Sequence, residues 1–191
     1  TVMKEYKLPI GCDVPETIIL ADGDFPSHPL ALEWLRQCPY VVCCDGAANT
    51  YIRSGRMPEA IVGDGDSLLP DIKERYASLI HSEAEQETND LSKAFRFCLS
   101  QERKRITIMG ATGKREDHTI GNVSLLADYM EQAEVSMMTD YGIFVPIRED
   151  SMFESYIGQQ ISVFNMNSTA LSAEGLAYPL SVFTNWWQGT F

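Results

Sequence analysis

The stretch "YVVCCDGAANTYIRSG", residues 40–55, decides the fold because it contains a strand, a polar turn and a helix in direct succession. Its first five residues form a short, β-rich apolar run without alternation, which is typical of a strand buried on both faces. The segment after Asp45 has helical spacing and ends at Gly55, where a glycine is expected just past a helix. This stretch predicts one step of an alternating α/β fold.

The same succession recurs along the chain up to about residue 140. Further buried strands are predicted at 17–21, 60–63, 78–81, 106–111 and 135–138. Helical spacing of apolar residues is found at 29–38, 70–78, 90–101 and 117–132. Strands and helices in alternation predict an α/β fold, with a mostly parallel sheet and helices on both of its faces.

The pattern changes after residue 140. Strand-like segments without intervening helices follow at 142–147, 159–167, 169–180 and 181–191. We therefore predict an α/β domain over residues 1–140 and a small all-β, sandwich-type domain over residues 141–191. A β piece of this size is too small to be stable alone, so we expect it to lean on the first domain or on another subunit. Trp186 and Trp187 are predicted to pack in an edge strand.

The composition excludes several classes of protein. The net charge of −12 leaves no basic surface to neutralise nucleic-acid phosphates, so we expect no nucleic-acid partner. No apolar run reaches the roughly 20 residues of a membrane helix, and the first residues lack the apolar core of a signal peptide. The five cysteines, without C-x-x-C spacing, fit a reducing compartment. We expect a cytoplasmic protein without membrane contact, in which Cys43 and Cys44 are buried and unreactive.

Acidic residues follow three of the predicted strands, in "ADGDFP" (21–26), "CDGAAN" (44–49) and "GDGDS" (63–67). Open α/β sheets bind ligands beyond the carboxyl ends of their strands. Because Mg²⁺ prefers oxygen ligands, commonly one or two carboxylates with phosphates and water, Asp64 and Asp66 are candidate metal ligands. The alternative is an ordinary turn in which an aspartate bonds to nearby backbone.

A further carboxylate lies in "EQETNDLSKAF", residues 85–95. Thr88 is predicted as the N-cap of the next helix, which places Asp90 in the first turn. There Asp90 either only stabilises the helix dipole or joins the metal site.

The block "GATGKREDHTIGN", residues 110–122, supplies positive charge. Its glycines permit a tight loop of exposed amides, and Lys114 and Arg115 can bind phosphate oxygens. The block matches neither the P-loop nor the dinucleotide-binding pattern. Asp117 is either functional or a helix N-cap, and His118 is either a general base or a structural residue.

The blocks "CDGAAN", "GDGDS", "QETNDLSKA" and "GATGKREDHTIGN", in this order and at these intervals, resemble those of thiamine pyrophosphokinases. The likeness covers most of the chain, from about residue 17 into the β-rich tail. It implies an α/β nucleotide-binding domain followed by a β-sandwich, in a homodimer whose active sites are shared between subunits. It also implies Mg²⁺-dependent transfer of the terminal diphosphate of ATP to the hydroxyl of thiamine, which gives thiamine diphosphate and AMP.

The resemblance further implies roles for individual residues. Those implied to bind metal are Asp64, Asp66 and Asp90, which with Asp117 form the catalytic set. Those implied to bind ATP are Asp45, Gly46, Gln86, Lys114 and Arg115. Those implied to bind thiamine are Asp117, Asn122 and Tyr178, the last of them in the partner's active site. The sequence leaves open whether Asp117 accepts the hydroxyl proton or holds the thiamine ring.

The sequence departs from the family pattern in three places. Ala47 replaces a second glycine, and Gly65 stands where a larger residue is common. Family members usually continue through further strands, so we expect the thiamine-binding domain to be incomplete at Phe191. The first D-G-D, at 22–24, is interpreted as a turn whose backbone borders the nucleotide, with neither aspartate a metal ligand.

Two other functions stay open. A nucleotide-sugar transferase can also hold its metal with D-x-D after a strand, but it would not explain the "GKREDH" block or the β-rich tail. A non-catalytic module that senses nucleotide or thiamine could keep the fold without turnover. Such a module need not retain Asp64, Asp66 and Asp90 together, as this chain does.

Overall fold

The computed structural model describes residues 2–178, 180 and 187–190. The chain divides into two compact units, of which the larger is Pro9–Arg148 and the smaller combines Thr1–Leu8 with Glu149–Phe191.

A seven-stranded sheet forms the centre of the larger unit. The first strand of the chain, β1 (Lys4–Tyr6), belongs to the smaller unit. The strands of the central sheet are β2 (Thr17–Leu20), β3 (Val41–Cys44), β4 (Ala60–Val62), β5 (Ile80–His81), β6 (Arg105–Met109), β7 (Glu134–Met138) and β8 (Ile143–Phe144). They lie in the order β5-β4-β3-β2-β6-β7-β8, and every pair is parallel except β7 with β8. The predicted α/β fold with a mostly parallel sheet is confirmed.

Helices connect the parallel strands at the predicted places, with small shifts at their ends. They are α1 (Pro29–Gln37), α2 (Ala47–Arg53), α3 (Pro70–Arg75), α4 (Asp90–Ser100) and α5 (Glu116–Tyr129), with a 3₁₀ turn at Ala77–Leu79. Gly55 follows α2 with a left-handed φ of 89°, as expected of a glycine past a helix end. None of the described helices is long and apolar enough to cross a membrane.

The core consists of two layers, one on each face of the sheet. Neighbouring residues of a strand point to opposite faces. Cys43 therefore packs with Trp34 and the helices α1 to α3, whereas Cys44 packs with Phe95 and the helices α4 and α5. Both thiols are buried, and burial raises the pKa of each. The prediction that both cysteines are buried is confirmed, and their lack of reactivity stays a prediction.

The sheet has a topological switch point between β2 and β6. From β2 the chain adds β3, β4 and β5 on one side, and after α4 it returns to place β6 and β7 on the other side. The carboxyl ends of β2 and β6 therefore border the crevice in which open α/β sheets bind their ligands.

Residues 143–144 show why the compact units differ from the predicted division at residue 140. This segment was predicted as part of the β domain, but β8 pairs antiparallel with β7, with Met137 opposite Phe144. The larger unit therefore extends to Arg148, and the first eight residues belong to the smaller unit.

The described residues of the smaller unit form two short sheets. Strand β9 (Ser151–Phe153) pairs parallel with β1, and the Tyr6 and Phe153 rings stack with their centroids 4.7 Å apart. Strand β10 (Ile161–Phe164) pairs antiparallel with β11 (Trp187–Thr190). The β-rich character of this region is therefore confirmed.

Two details of the predicted β-rich tail need separate mention. The strand predicted over 169–180 is wrong for residues 169–178, because the chain bends there at Gly175, with φ 82°, and is mostly open to solvent. Trp187 begins β11, whereas Trp186 lies outside the described residues.

Candidate active site

Asp45 is the buried carboxylate of the site. It follows β3 directly, and only 5% of the residue is exposed. Its Oδ2 accepts a hydrogen bond from the Ser67 backbone N–H at 3.2 Å, whereas its buried Oδ1 has no partner among the residues that the structure describes. Burial raises the pKa of the Asp45 carboxyl, the nearby charges of Asp90 and Asp64 raise it further, and the hydrogen bond from Ser67 opposes them. A cation near Oδ1 would satisfy this oxygen.

The backbone of Asp45 is also unusual. Its φ is 38°, in the left-handed region that non-glycine residues rarely adopt. Gly46 follows, and a Cβ there would lie 2.5 Å from Asp22 Oδ2 and 2.9 Å from Ser67 Cβ. A glycine is therefore needed at position 46 so that the loops after β2, β3 and β4 can meet.

Asp64, Gly65 and Asp66 form a local turn after β4. The Asp66 N–H donates to Asp64 Oδ1 at 2.9 Å, and Gly65 has a left-handed φ of 78°. Both aspartates are exposed. A Cβ at Gly65 would lie 3.3 Å from Lys73 Nζ, so one ammonium group approaches the turn from α3. The ordinary turn predicted as the alternative to a metal site is present. It nevertheless leaves the Asp64 and Asp66 carboxylates exposed and accessible to a ligand.

Asp90 begins α4 and faces the same acidic cluster. Burial raises the pKa of the Asp90 carboxyl, the Lys93 ammonium opposes this shift, and the charges of Asp64 and Asp22 add to it. Lys93 Nζ lies 3.7 Å from Asp90 Oδ1, and the Lys93 side chain is 8% exposed. A buried ammonium thus accompanies the carboxylates, which sequence analysis missed because lysines are mostly exposed. The sequence feature that indicates this ion pair is the position of Lys93 three residues after Asp90 on the same helix.

The N-cap of α4 is Asn89, so the prediction of Thr88 as the N-cap is wrong. Asn89 Oδ1 accepts the Ser92 N–H at 2.9 Å, as a capping side chain does. Thr88 instead donates its hydroxyl to Glu85 Oε2 at 2.5 Å. Asn and Thr are both good caps, and their neighbouring positions gave the sequence no means to choose.

Gln86 lies exposed in the loop between β5 and α4. Arg96 holds this loop, since its Nη2 lies 2.5 Å from Glu83 Oε2 and 3.1 Å from Glu85 Oε2. The nucleotide-binding role of Gln86 stays a prediction.

The loop after β6 supplies the basic side of the site. Gly110, Gly113 and Lys114 have left-handed φ values of 67°, 78° and 59°. Lys114 Nζ donates to the backbone oxygen of Asp22 at 3.0 Å and lies 3.4 Å from Asp22 Oδ1. Asp22 therefore links the basic loop to the acidic cluster, a position that its sequence setting did not reveal.

Arg115 and Asp117 form an exposed ion pair at the start of α5, with Nη2 and Oδ2 2.6 Å apart. The hydrogen bond from Arg115 lowers the pKa of the Asp117 carboxyl. The possibility that Asp117 caps the helix is wrong, because Arg115 occupies the N-cap position without a side-chain bond. His118 is exposed next to this pair, and its backbone N–H donates to Asp117 Oδ1 at 2.9 Å.

Asn122 is buried, with 9% of the residue exposed. Its amide bonds to Ala111 and to Asn89. Tyr178 belongs to the smaller unit and is 60% exposed. Thiamine binding by Asn122 and Tyr178 stays a prediction.

The candidate metal ligands do not yet form a closed set. Within the described ranges, which leave out residues 1, 179, 181–186 and 191, no three His, Cys, Asp or Glu side chains converge in the manner of metal ligands. The pKa shifts of Asp45 and Asp90 nevertheless record that Asp64 is close enough to affect both carboxyls. Metal binding by Asp64, Asp66 and Asp90 therefore stays a prediction.

The fold and the site together define a doubly wound α/β protein with an acidic cluster facing a glycine-rich basic loop across its switch point. Two family models match the chain: "Thiamin pyrophosphokinase, catalytic domain" over residues 31–138 and "Thiamin pyrophosphokinase, substrate-binding domain" over residues 142–191. The first of these alone covers more than half of the chain, and the chain belongs to the thiamin pyrophosphokinase family. The two matches leave residues 139–141 between them.

Curated relatives agree with this assignment. The chain is 30% identical over 129 residues to thiamine pyrophosphokinase 1 of Oryza sativa subsp. japonica, which covers 54% of this chain and 49% of the relative. It is 34% identical over 86 residues to thiamine pyrophosphokinase of Bacillus subtilis, which covers 43% of this chain and 40% of the relative. The chain thus spans about half the length of the curated relatives that it matches.

Solved structures share the fold. Yeast thiamin pyrophosphokinase superposes with a TM-score of 0.58 at 18% identity, over 73% of this chain and 64% of that one. A protein from Lactobacillus plantarum superposes with a TM-score of 0.61 at 18% identity, over 92% of this chain and 88% of that one. At such identities the likeness supports the α/β architecture and the small β unit.

Proposed function

We propose that the protein transfers the terminal diphosphate of ATP to the hydroxyl of thiamine with the help of Mg²⁺, which gives thiamine diphosphate and AMP. Family membership supports the reaction. The structural observation that carries the proposal is Asp45, whose buried Oδ1, inside an acidic cluster at the switch point, lacks a partner in the described part of the chain. A divalent cation with a polyphosphate would neutralise that cluster and satisfy the oxygen.

The residues of the cluster fit a magnesium site. Mg²⁺ is usually held by one or two carboxylates together with substrate phosphates and water, so a complete set of protein ligands is not required. Asp64 presents an exposed carboxylate near Asp45, Asp90 lies at the same cluster, and Asp66 presents a second exposed carboxylate in the same turn as Asp64. When bound, the metal would draw electron density from the phosphorus under attack.

The basic loop is proposed to bind the ATP phosphates. Lys114 is tied to Asp22 by an exposed ion pair, which water weakens, so a phosphate oxygen can replace the carboxylate as its partner. Arg115 carries a fork of donors that suits phosphate as well as its present partner Asp117. Gly46 and Gln86 are proposed to line the nucleotide side.

The thiamine side is proposed to involve Asp117 and Tyr178. Once Arg115 turns to a phosphate, Asp117 is free to accept the proton of the thiamine hydroxyl or to hold the ring. An aromatic ring such as that of Tyr178 would stabilise the cationic thiazolium by about 0.5–2 kcal/mol. We further propose that the protein works in the cytoplasm as a homodimer in which Tyr178 serves the partner's site.

The test is incubation of the purified protein with ATP, Mg²⁺ and thiamine, with AMP and thiamine diphosphate measured together. Equal amounts of both products are expected, and neither product should form with EDTA or without thiamine. Nucleotide binding without AMP would instead indicate a sensing module. Consumption of a sugar nucleotide without AMP formation would indicate a transferase of the other class, which no described feature of the chain favours.

A further inference from the structure

A chain of side-chain hydrogen bonds joins α4 to the start of the loop after β6. Asn122 Nδ2 donates to the Ala111 carbonyl at 2.9 Å, and Asn122 Oδ1 accepts from Asn89 Nδ2 at 3.0 Å. Asn89 Oδ1 in turn accepts the Ser92 N–H at 2.9 Å. Both polar groups of the Asn122 amide are therefore engaged inside the protein, and the residue is 9% exposed.

The orientation of both amides is fixed by their backbone partners. The Ala111 carbonyl can only accept, so Asn122 must point its NH₂ group there and its oxygen towards Asn89. The Ser92 N–H can only donate, so Asn89 must point its oxygen there and its NH₂ group towards Asn122. The two requirements meet in one complementary hydrogen bond. Turning over the Asn122 amide would leave its buried polar groups without matching partners, and turning over the exposed Asn89 amide would lose the cap to Ser92.

The bridge connects the two halves of the site. Asn89 directly precedes Asp90, whose carboxyl lies in the acidic cluster. Ala111 directly follows Gly110 and opens the loop that carries Lys114. Hydrogen bonds are directional, so this link, which is buried at its Asn122 end, fixes the spacing between the two segments more narrowly than apolar packing does.

We propose that the bridge between Asn89 and Asn122 sets the position of Asp90 relative to the phosphate-binding loop, so that both residues are positioning residues. The reaction served by this spacing rests on the proposed function. On this proposal Asn122 acts through Asn89 and Ala111, instead of through the thiamine contact that the family resemblance implies.

The same pair of helices offers a matched control. Ser92 Oγ and Tyr129 OH lie 2.7 Å apart in the interior and also join α4 to α5. Tyr129→Phe removes this bond without touching the bridge. A general loosening of the two helices would affect both variants, whereas a positioning role belongs to the bridge alone.

Two substitutions of Asn89 separate the bridge from the helix cap. Asn89→Ser keeps a capping oxygen for Ser92 but loses the donor to Asn122. Asn89→Asp also keeps the cap, but it places a carboxylate oxygen against Asn122 Oδ1. We expect kcat/KM for ATP to fall about 10- to 100-fold in both, with Asn89→Asp the lower, because small misplacements at a reacting centre have effects of this size.

In the same assay, KM for thiamine should stay unchanged in both variants, and Tyr129→Phe should retain the wild-type kcat/KM. Wild-type kinetics in Asn89→Asp would overturn the proposal. So would an equal fall in Tyr129→Phe, or a rise confined to KM for thiamine in Asn122→Asp.

Amide hydrogen exchange tests the bridge without reference to turnover. In Asn89→Asp, the backbone amides of residues 88–93 and 110–115 should exchange faster together, whereas Tyr129→Phe should leave the second segment unchanged. Faster exchange in residues 88–93 alone would overturn the coupling. If the wild type forms no AMP, the proposed function fails, while the exchange result still decides whether the bridge exists.

Discussion

The chain contains the tripeptide Asp-Gly-Asp twice, at 22–24 and at 64–66, and the two copies are held in different ways. In the first copy, the Gly23 and Asp24 N–H groups donate to the carbonyls of Gly110 and Thr112, at 2.6 and 2.9 Å. The second copy is closed by its own hydrogen bond, from the Asp66 N–H to Asp64 Oδ1. One copy belongs to the frame of the switch point, and the other is a local turn.

A second long-range anchor holds the loop of the first copy. Asp140, after β7, accepts hydrogen bonds from the Ser27 N–H at 2.9 Å, the Ser27 hydroxyl at 2.6 Å and the His28 N–H at 2.8 Å. The two identical tripeptides therefore have different structural roles, because they follow different strands of the sheet. The first copy fixes the crevice, whereas the carboxylates of the second copy keep the freedom to meet a ligand.

The largest expected difference between the copies lies in turnover. Asp64→Asn and Asp66→Asn should each lower kcat at least about 100-fold, because they remove charge that the metal and phosphates require. Asp24→Asn should stay within about threefold of the wild type, as expected for a residue outside the reacting centre. Steady-state AMP formation at saturating Mg²⁺ measures all three. Near-normal rates in both variants of the second copy would remove the metal role.

The next difference lies in how much protein stability depends on Gly23 and on Gly65, the middle residues of the two copies. Gly23→Ala would drive a Cβ into the carbonyl oxygens of Gly110 and Thr112, and we expect a loss of about 3 kcal/mol in the free energy of unfolding. Gly65→Ala meets the flexible Lys73 side chain and, at ordinary contact distance, Leu68 Cδ1, so the left-handed backbone should account for the expected cost of about 1 kcal/mol. Urea unfolding of both variants measures the two losses. Equal losses would contradict the contrast between frame and turn.

A smaller effect concerns the anchor of the first copy and depends on pH. Hydrogen bonds from Ser27 and His28 lower the pKa of the Asp140 carboxyl, so its stabilisation is present above the unfolded-state pKa and is lost as the pH falls through the folded-state pKa. Asp140→Asn should therefore cost about 1 kcal/mol at pH 7, and this difference from the wild type should shrink below about pH 4. Urea unfolding at several pH values measures it. A difference that is independent of pH would show that the charge is not involved.

The smallest expected effect concerns the ion pair between Lys114 and Asp22. Both side chains are largely exposed, at 57% and 44%, so Lys114→Ala should change the free energy of unfolding by less than about 0.5 kcal/mol. The left-handed backbone at position 114 is equally unfavourable for both residues, so strain does not enter the comparison. Thermal unfolding measures the change, with Lys114→Gly as a control that should be no less stable. A loss above 1 kcal/mol would mean that the pair belongs to the rigid frame.

Much of the fold could be predicted because its signals are local. Short apolar runs and helical spacing located the strands and helices of the larger unit, and the carboxyl ends of parallel strands must share one edge. That rule places Asp45, Asp64 and the loop after β6 at the same edge, as the parallel pairing of β2, β3, β4 and β6 shows.

What could not be predicted depends on contacts between distant segments. Asn89 rather than Thr88 caps α4, and Asn89 also donates a hydrogen bond to Asn122 on another helix, a contact that no local pattern shows. The two-residue strand β8 has the same local pattern whether it extends the large sheet or joins the β-rich tail. Lys93 was missed because lysines are mostly exposed, and its spacing from Asp90 does not by itself show that the side chain is buried.

The pairing of β1 with β9 sets an order of events during synthesis of the chain. Tyr6 lies opposite Phe153, so the first strand must wait for 147 further residues before its partner exists. At about 5–20 residues per second, ribosomes need roughly 7–30 s for this stretch. Pro9–Arg148 is contiguous and complete before then, so the larger unit can collapse around its own sheet while the chain's leading segment is still unpaired. Nascent protein should therefore expose Tyr6 to chaperones for longer than any side chain of the central strands.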